Sequence, residues 1–353
     1  MTAPTSSPSR AGQRVAVIGG GSFGSALADI LGHNGHPVAL QFRTAQAAEA
    51  FNATRENRKY LPGITLSDNI TGVTDPGEAV RDAALVLICV PSPWFRETAR
   101  ALAPALARGG GGQMIVSTTK GIENGTFRLM TEILAEETSC TRIGALSGPN
   151  LAKEIAAHKL SGTVIASPDA GLMATVQDWL SSPWFRVYSN PDMRGVELAG
   201  VLKNVYAIAT GLADALELGD NTRGMILTRA LAEMSRFAEK SGADPLTFLG
   251  LAGVGDLVTT CTSPQSRNFR VGRLIGQGRT LDQAIEEIGE VAEGVHTVRI
   301  VHARLAEMGI RMRILEGLHA LLFQGQPVGP VLADLMTEPQ MEDVEFAGRS
   351  SSP

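Results

Sequence analysis

The ten residues from Val15 to Gly24, Val-Ala-Val-Ile-Gly-Gly-Gly-Ser-Phe-Gly, constrain this chain more than any other stretch. An aliphatic run enters glycines spaced G-x-G-x-x-G at Gly19, Gly21 and Gly24, and Ser25 to Leu31 continues as a good helix former. This is the strand–turn–helix context that a dinucleotide-binding turn requires. Gly19 allows the tight turn, Gly21 lets the backbone approach a pyrophosphate, and Gly24 lets the helix pack closely on the strand. The free N–H groups and the positive dipole end of that helix then face the phosphates. The competing reading is a glycine-rich turn of purely structural use.

The rest of the first half repeats the alternation. Short apolar runs at 38–42, 85–90, 114–117, 143–146 and 163–166 read as strands, with helices at 97–106 and 128–136 between them. Continuous apolar runs of this length suit parallel strands buried on both faces. The pattern predicts an α/β fold, a Rossmann-like doubly wound sheet. After Asn190-Pro191 strand-like runs vanish, and segments 195–216, 230–240, 281–288 and 295–308 read as helices. The expected organisation is a disordered Ser/Pro/Thr-rich tail at 1–12, a dinucleotide-binding domain at 13–190, an all-helical substrate and catalytic domain at 191–337, and a polar tail at 338–353.

Composition excludes several classes. Lys and Arg number 31 against 36 Asp and Glu, a net charge of -5, which argues against a general nucleic-acid binder. Cys89, Cys140 and Cys261 are scattered, with no CxxC or Cys/His cluster, so no disulfide framework, zinc site or other metal is expected. Cys89 reads as a small core residue inside a strand. No apolar run approaches the roughly 20 residues needed to span a bilayer. The N-terminus lacks the apolar region of a secretory signal. A cytoplasmic protein is the expectation.

An Asp or Glu roughly 20 residues past the fingerprint would accept from the ribose 2′-OH of NAD. Here the second strand ends Gln41-Phe42-Arg43-Thr44, with no acid. Arg43 is suited to a 2′-phosphate or to stacking on adenine. NADPH is therefore the favoured cofactor and NADH the alternative; the bland reading of Arg43 is a solvated surface arginine.

Polar residues cluster where an open α/β sheet binds its ligands, past the carboxyl ends of strands. Ser117-Thr118-Thr119-Lys120-Gly121 follows one strand and directs the Lys120 cation into the crevice. Ser147-Gly148-Pro149-Asn150 follows the next, with Asn150 a good N-cap for the helix beyond. Lys203-Asn204 interrupts a helix whose Leu198, Val201, Leu202, Val205 and Ile208 follow helical spacing. A lysine there either snorkels to solvent or, held in the crevice, has its pKa lowered toward proton transfer. Gly253-Val254-Gly255-Asp256 offers an acid among glycines. Ser266-Arg267-Asn268, opening a helix, is a sound phosphate-binding set, or else a capping serine beside a surface arginine.

Taken together and in order, GGGSFGSALA, STTKGIENG, SGPNLAKE, LKNVYAIATG, GDNTRGMILTRALAEM, GVGDLVTTCTSPQSRN and VAEGVHT resemble the bacterial-type NAD(P)-dependent glycerol-3-phosphate dehydrogenases. The resemblance runs from about Arg14 to about Thr337. It implies reversible reduction of dihydroxyacetone phosphate to sn-glycerol 3-phosphate, feeding glycerophospholipid synthesis, and a homodimer. It implies Lys203 as general acid, Lys120 as the cation that polarises the carbonyl, and Asp256 as the group that orients the lysine. Gly148, Asn150, Asn204, Thr260, Ser266, Arg267 and Asn268 would hold substrate, chiefly its phosphate. Ser22, Phe23, Arg43, Ala152, Arg267, Val291 and Glu293 match cofactor contacts, with Lys120 and Tyr60 beside them.

Two departures stand out. Members often carry an acid or amide where this chain has Thr44, and a Met-Pro-Ile where it reads Met312-Arg313-Ile314. The competing functions are a β-hydroxyacid or 6-phosphogluconate type dehydrogenase, which also uses a lysine, and a nucleotide-binding regulator without chemistry.

Overall fold

Aliphatic residues without alternation bury a strand on both faces, and these strands sit at the centre of one sheet. The computed structural model describes residues 12–337. The expected 338–353 tail and, apart from Gly12, the N-terminal tail lie outside the described residues. In chain order the elements of the first half are β1 (Val15–Ile18), α1 (Ser22–His33), β2 (Val38–Gln41), α2 (Ala45–Thr54), β3 (Ile70–Val73), α3 (Pro76–Val80), β4 (Leu85–Ile88), α4 (Phe95–Arg108), β5 (Met114–Ser117), α5 (Met130–Glu137), β6 (Arg142–Ser147), α6 (Ala152–Ala156), β7 (Ser161–Ala166), α7 (Ala170–Leu180) and β8 (Phe185–Asn190). The second half is helical: α8 (Met193–Ala215), α9 (Gly219–Lys240), α10 (Asp256–Thr262), α11 (Arg267–Gly276), α12 (Leu281–Ile288), α13 (Glu293–Met308), α14 (Arg313–Phe323) and α15 (Val328–Met336).

The sheet order is β3-β2-β1-β4-β5-β6-β7-β8. The first six strands are parallel, in the doubly wound dinucleotide-binding order, with its switch point between β1 and β4. β7 then joins β6 antiparallel, and β8 runs parallel to β7. This reversed pair was not foreseen, and β3 and β8 were not foreseen as strands. Both alternate buried and exposed side chains at opposite edges of the sheet, so neither presents a continuous apolar run. α9 also starts earlier than expected, because its first turns, Gly-Asp-Asn-Thr-Arg-Gly, are polar and largely exposed.

Cys89 is not inside a strand: it follows the end of β4 and is half-buried against the fingerprint turn. Burial pushes its thiol up to about 12, so it is an unreactive packing residue.

The helical half is built around α8. By length and composition α8 passes for a membrane span, with a mean hydropathy of 1.2 over its best 18 residues, contrary to the expectation that no such run exists. Every residue of that window is buried inside the protein, so α8 is a core helix. It packs on α11 through a reciprocal glycine contact. A Cβ on Gly211 would stand 1.9 Å from the Phe269 carbonyl oxygen, and one on Gly272 would stand 1.9 Å from that of Ile208. The two backbones therefore touch, and a larger residue at either place would force them apart.

Candidate active site

The fingerprint turn is shaped as its spacing demands. Gly19 has φ +111°, where an L side chain is strained, and a Cβ on Gly24 would stand 2.1 Å from the Gly19 carbonyl oxygen. Among the described residues nothing lies within 4 Å of the Cβ position of Gly21, so the space above the turn is open to them. Ser22 and Phe23 begin α1 and are half-buried. The sequence reading missed the residue that pins this turn. Buried Asn57 donates from Nδ2 to the Gly20 carbonyl at 2.9 Å and to Ser25 Oγ at 2.8 Å. It lies in an irregular segment with no periodicity, so no local pattern marks it.

Arg43 is exposed just past β2 and forms no hydrogen bond or ion pair with the described residues. Thr44 is the N-cap of α2 and accepts from the Ala47 amide at 3.3 Å. Tyr60 is half-buried, with Lys59 Nζ 5.1 Å from its ring centre.

Across the switch point, the loop after β5 is tied to the end of β4. Thr118 donates to the Ile88 carbonyl and Thr119 Oγ1 to that of Val90. This aims Lys120 over α8, where Gly200 leaves room: a Cβ there would meet Ser147 Oγ at 2.5 Å. Lys120 Nζ donates to the Gly148 carbonyl at 2.8 Å and to Asp256 Oδ2 at 2.7 Å.

Asp256 is fully buried at the start of α10, after a single π-helical turn over Leu251–Gly255. Its other oxygen, Oδ1, accepts a very short hydrogen bond from Lys203 Nζ. Lys203 also donates to Thr260 Oγ1 at 2.6 Å. It does not snorkel: the residue is 5% exposed. Burial holds its ammonium down to about 7, with the nearby Lys120 charge adding to the effect and Asp256 opposing it. Two lysines thus share one carboxylate, and one of them can exchange a proton near neutral pH.

Asn150 is not the N-cap of α6. Leu151 holds that place without a side-chain bond, and Asn150 Nδ2 donates instead to Thr163 Oγ1 at 3.0 Å. The amide is drawn away by a partner on β7 that local sequence does not reveal. Its Oδ1 and the Ser147 hydroxyl oxygen are buried without a partner among the described residues, so both suit a polar ligand in the crevice.

The second wall comes from α11 and α13. Asn268 Nδ2 donates to Asn204 Oδ1 at 2.9 Å, and Asn268 Oδ1 accepts from the Gly294 amide at 2.9 Å. Ser266 caps α11 by accepting from the Phe269 amide at 3.3 Å. Arg267 opens the helix on the surface, 3.3 Å from Glu290. Val291 is half-buried just before α13, and Ala152 half-buried at the start of α6. Glu293 accepts from the Ser92 amide at 2.9 Å and from its hydroxyl, joining α13 to the loop after β4. Ser92 is a second residue that sequence reading passed over.

An open glycine turn at a sheet switch point, facing a buried lysine–aspartate–lysine set, defines a two-domain nicotinamide-dependent dehydrogenase. The N-terminal model of the NAD-dependent glycerol-3-phosphate dehydrogenases matches residues 14–173, and the C-terminal model matches 192–333. The chain belongs to that family. It is 50% identical over 338 residues to the NAD(P)+ glycerol-3-phosphate dehydrogenase of Azotobacter vinelandii, covering 96% of this chain and 98% of the relative. It is 51% identical over 334 residues to that of Saccharophagus degradans, covering 95% and 92%. The crystal structure of glycerol-3-phosphate dehydrogenase from Coxiella burnetii superposes with a TM-score of 0.87 at 34% identity, over 93% of this chain and 99% of the other.

Proposed function

We propose that this protein reversibly reduces dihydroxyacetone phosphate to sn-glycerol 3-phosphate with NADPH or NADH, and that the product feeds glycerophospholipid synthesis. The observation that carries the mechanism is the buried Lys203, bonded to Asp256 and Thr260, with Lys120 on the same carboxylate. A bound nicotinamide supplies the hydride. Lys203 gives its proton to the carbonyl oxygen as negative charge grows there. Lys120 adds a second positive charge beside that oxygen, and Asp256 holds both ammonium groups in place. Gly148, Asn150, Asn204, Thr260, Ser266, Arg267 and Asn268 bind the substrate, with Arg267 and the α11 N-terminus directed to its phosphate. Because the phosphate lies away from the reacting carbon, its binding energy orients the carbonyl.

Gly19, Gly21, Ser22, Phe23 and Gly24 take the pyrophosphate, and Arg43 the adenosine end. Tyr60, Ala152, Val291 and Glu293, with Lys120 and Arg267, line the remainder of the cofactor cleft. Arg43, with no acid beside it, supports a preference for NADPH. The sheet half, ending at Asn190, is the cofactor domain, and the helices from Met193 form the substrate domain.

A homodimer is the proposed assembly, supported by an apolar groove of about 880 Å³ between α9, α14 and α15, lined by residues such as Met225, Ile314 and Val331. A cytoplasmic setting is supported by three unbridged cysteines. The deciding experiment follows cofactor oxidation with dihydroxyacetone phosphate, NADH and NADPH side by side, against 3-oxo acids. Turnover with the phosphorylated ketone is expected; turnover confined to 3-oxo acids would refute the assignment.

A further inference from the structure

Asp29 lies on the buried face of the fingerprint helix α1, 1% exposed, yet among the described residues no lysine or arginine pairs with it. A buried carboxylate is costly unless a cation faces it. What faces this one is a pair of imidazoles. His33 Nδ1 stands 3.2 Å from Asp29 Oδ1, and His158 Nε2 stands 3.3 Å from Oδ2. The three donor atoms lie within 4.8 Å of one another.

The cluster is built rather than accidental. His158 holds a left-handed backbone conformation, φ 56°, a region that glycine favours and other residues seldom enter. Its ring stacks on Trp184 at 4.1 Å between centres, which fixes the imidazole plane. The Ser67 amide donates to Asp29 Oδ1 at 2.8 Å and orients the carboxylate, as outer partners of metal ligands do. Both histidines are exposed on their outer sides, so the cluster opens to solvent.

We propose that Asp29, His33 and His158 form a binding site for one divalent transition-metal ion of the zinc class. Ligands at about 2.1 Å around tetrahedral zinc stand about 3.4 Å apart, close to the two nitrogen–oxygen separations here. Two imidazoles and one carboxylate are the donor set that nitrogen- and oxygen-preferring ions take, leaving the outward position to water. His33 Nδ1 also lies 2.9 Å from the Asp29 carbonyl, an acceptor only, so the neutral metal-free ring carries its proton there. Coordination through Nδ1 would shift that proton to Nε2, which faces away from the site. The ion would tie α1 to the end of α6, far along the chain from it.

Isothermal titration of the chelator-treated full-length protein with Zn2+ tests this. One ion per chain is expected, with Co2+ giving visible absorption bands in its place. His33→Gln and His158→Asn should each weaken binding by about a hundredfold. Asparagine tolerates the left-handed backbone at 158, so that variant keeps the fold. Ketone reduction should stay at wild-type values in both. Absence of stoichiometric binding, or binding undiminished by either substitution, would overturn the site.

Discussion

Lys203 keeps its charge inside the protein only because Asp256 stands against it, and burial makes that charge easy to give up. Lys203→Ala should therefore lower kcat by about a thousandfold, within the range for losing a positioned acid. NADPH affinity, measured by fluorescence titration, should change little; wild-type turnover would remove Lys203 from the mechanism. With an ammonium that titrates near 7, the reduction rate should fall as pH rises through that value. The reverse oxidation needs the neutral amine and should rise over the same range. Parallel pH profiles in the two directions would contradict the assignment. Arg267→Ala should raise KM for the phosphorylated ketone about ten- to a hundredfold, as loss of a charge-assisted bond does. Lys120, Lys203 and Asp256 could be singled out in the sequence as charges beside threonines, apolar residues or glycines, while the roles proposed for them came from the family resemblance. Asn57, Ser92 and the true partner of Asn150 could not be, because their partners lie on α1, α13 and β7, which only the finished topology brings near.

Between elements, the tightest constraint is the contact of α8 with α11. Gly211→Ala or Gly272→Ala must push a carbonyl aside, and each should cost about 1–3 kcal/mol in denaturant unfolding. A loss within a few tenths of a kcal/mol would mean that the helices slide freely. Interior strands were readable as apolar runs, whereas edge strands β3 and β8 hid in alternation. α14 begins at Arg313, the position where members of the family often carry proline. Buried Glu233 accepts from the Ile314 amide at 2.9 Å and from Tyr206 at 3.0 Å, which fixes the helix start without it. Glu197 serves α5 in the same way, accepting from the Thr131 amide at 3.0 Å and from its hydroxyl.

For the whole molecule, these buried groups set how stability follows pH. Burial raises both Glu197 and Glu233 to about 7. A carboxyl raised above its unfolded value stabilises fully below that value and loses the contribution as pH climbs through the folded pKa. Each glutamate should thus withdraw up to about 3 kcal/mol between roughly pH 4.5 and 7. Lys203 is depressed, so its contribution is present above the unfolded lysine value and drains away as pH falls toward 7. The glutamate costs are full above about pH 7 and the lysine cost below it, so their sum is greatest near neutrality. In a Glu197→Gln/Glu233→Gln double variant, the acid-side slope of unfolding free energy against pH should flatten; an unchanged slope would rule out these glutamates as its source.

The reversed strands β7 and β8 have a consequence for how far the chain must reach. β6 arrives at the crevice edge of the sheet at Ser147, but β8 leaves it and ends at the opposite edge with Asn190. α8 therefore starts beneath the sheet and climbs back, at about 1.5 Å per residue, before Lys203 draws level with Lys120. The helix is a ruler whose graduations are single residues. One residue inserted between Met193 and Gly200 would carry the lysine about 100° around the axis and out of the crevice, so this stretch should accept changes of side chain far more readily than changes of length.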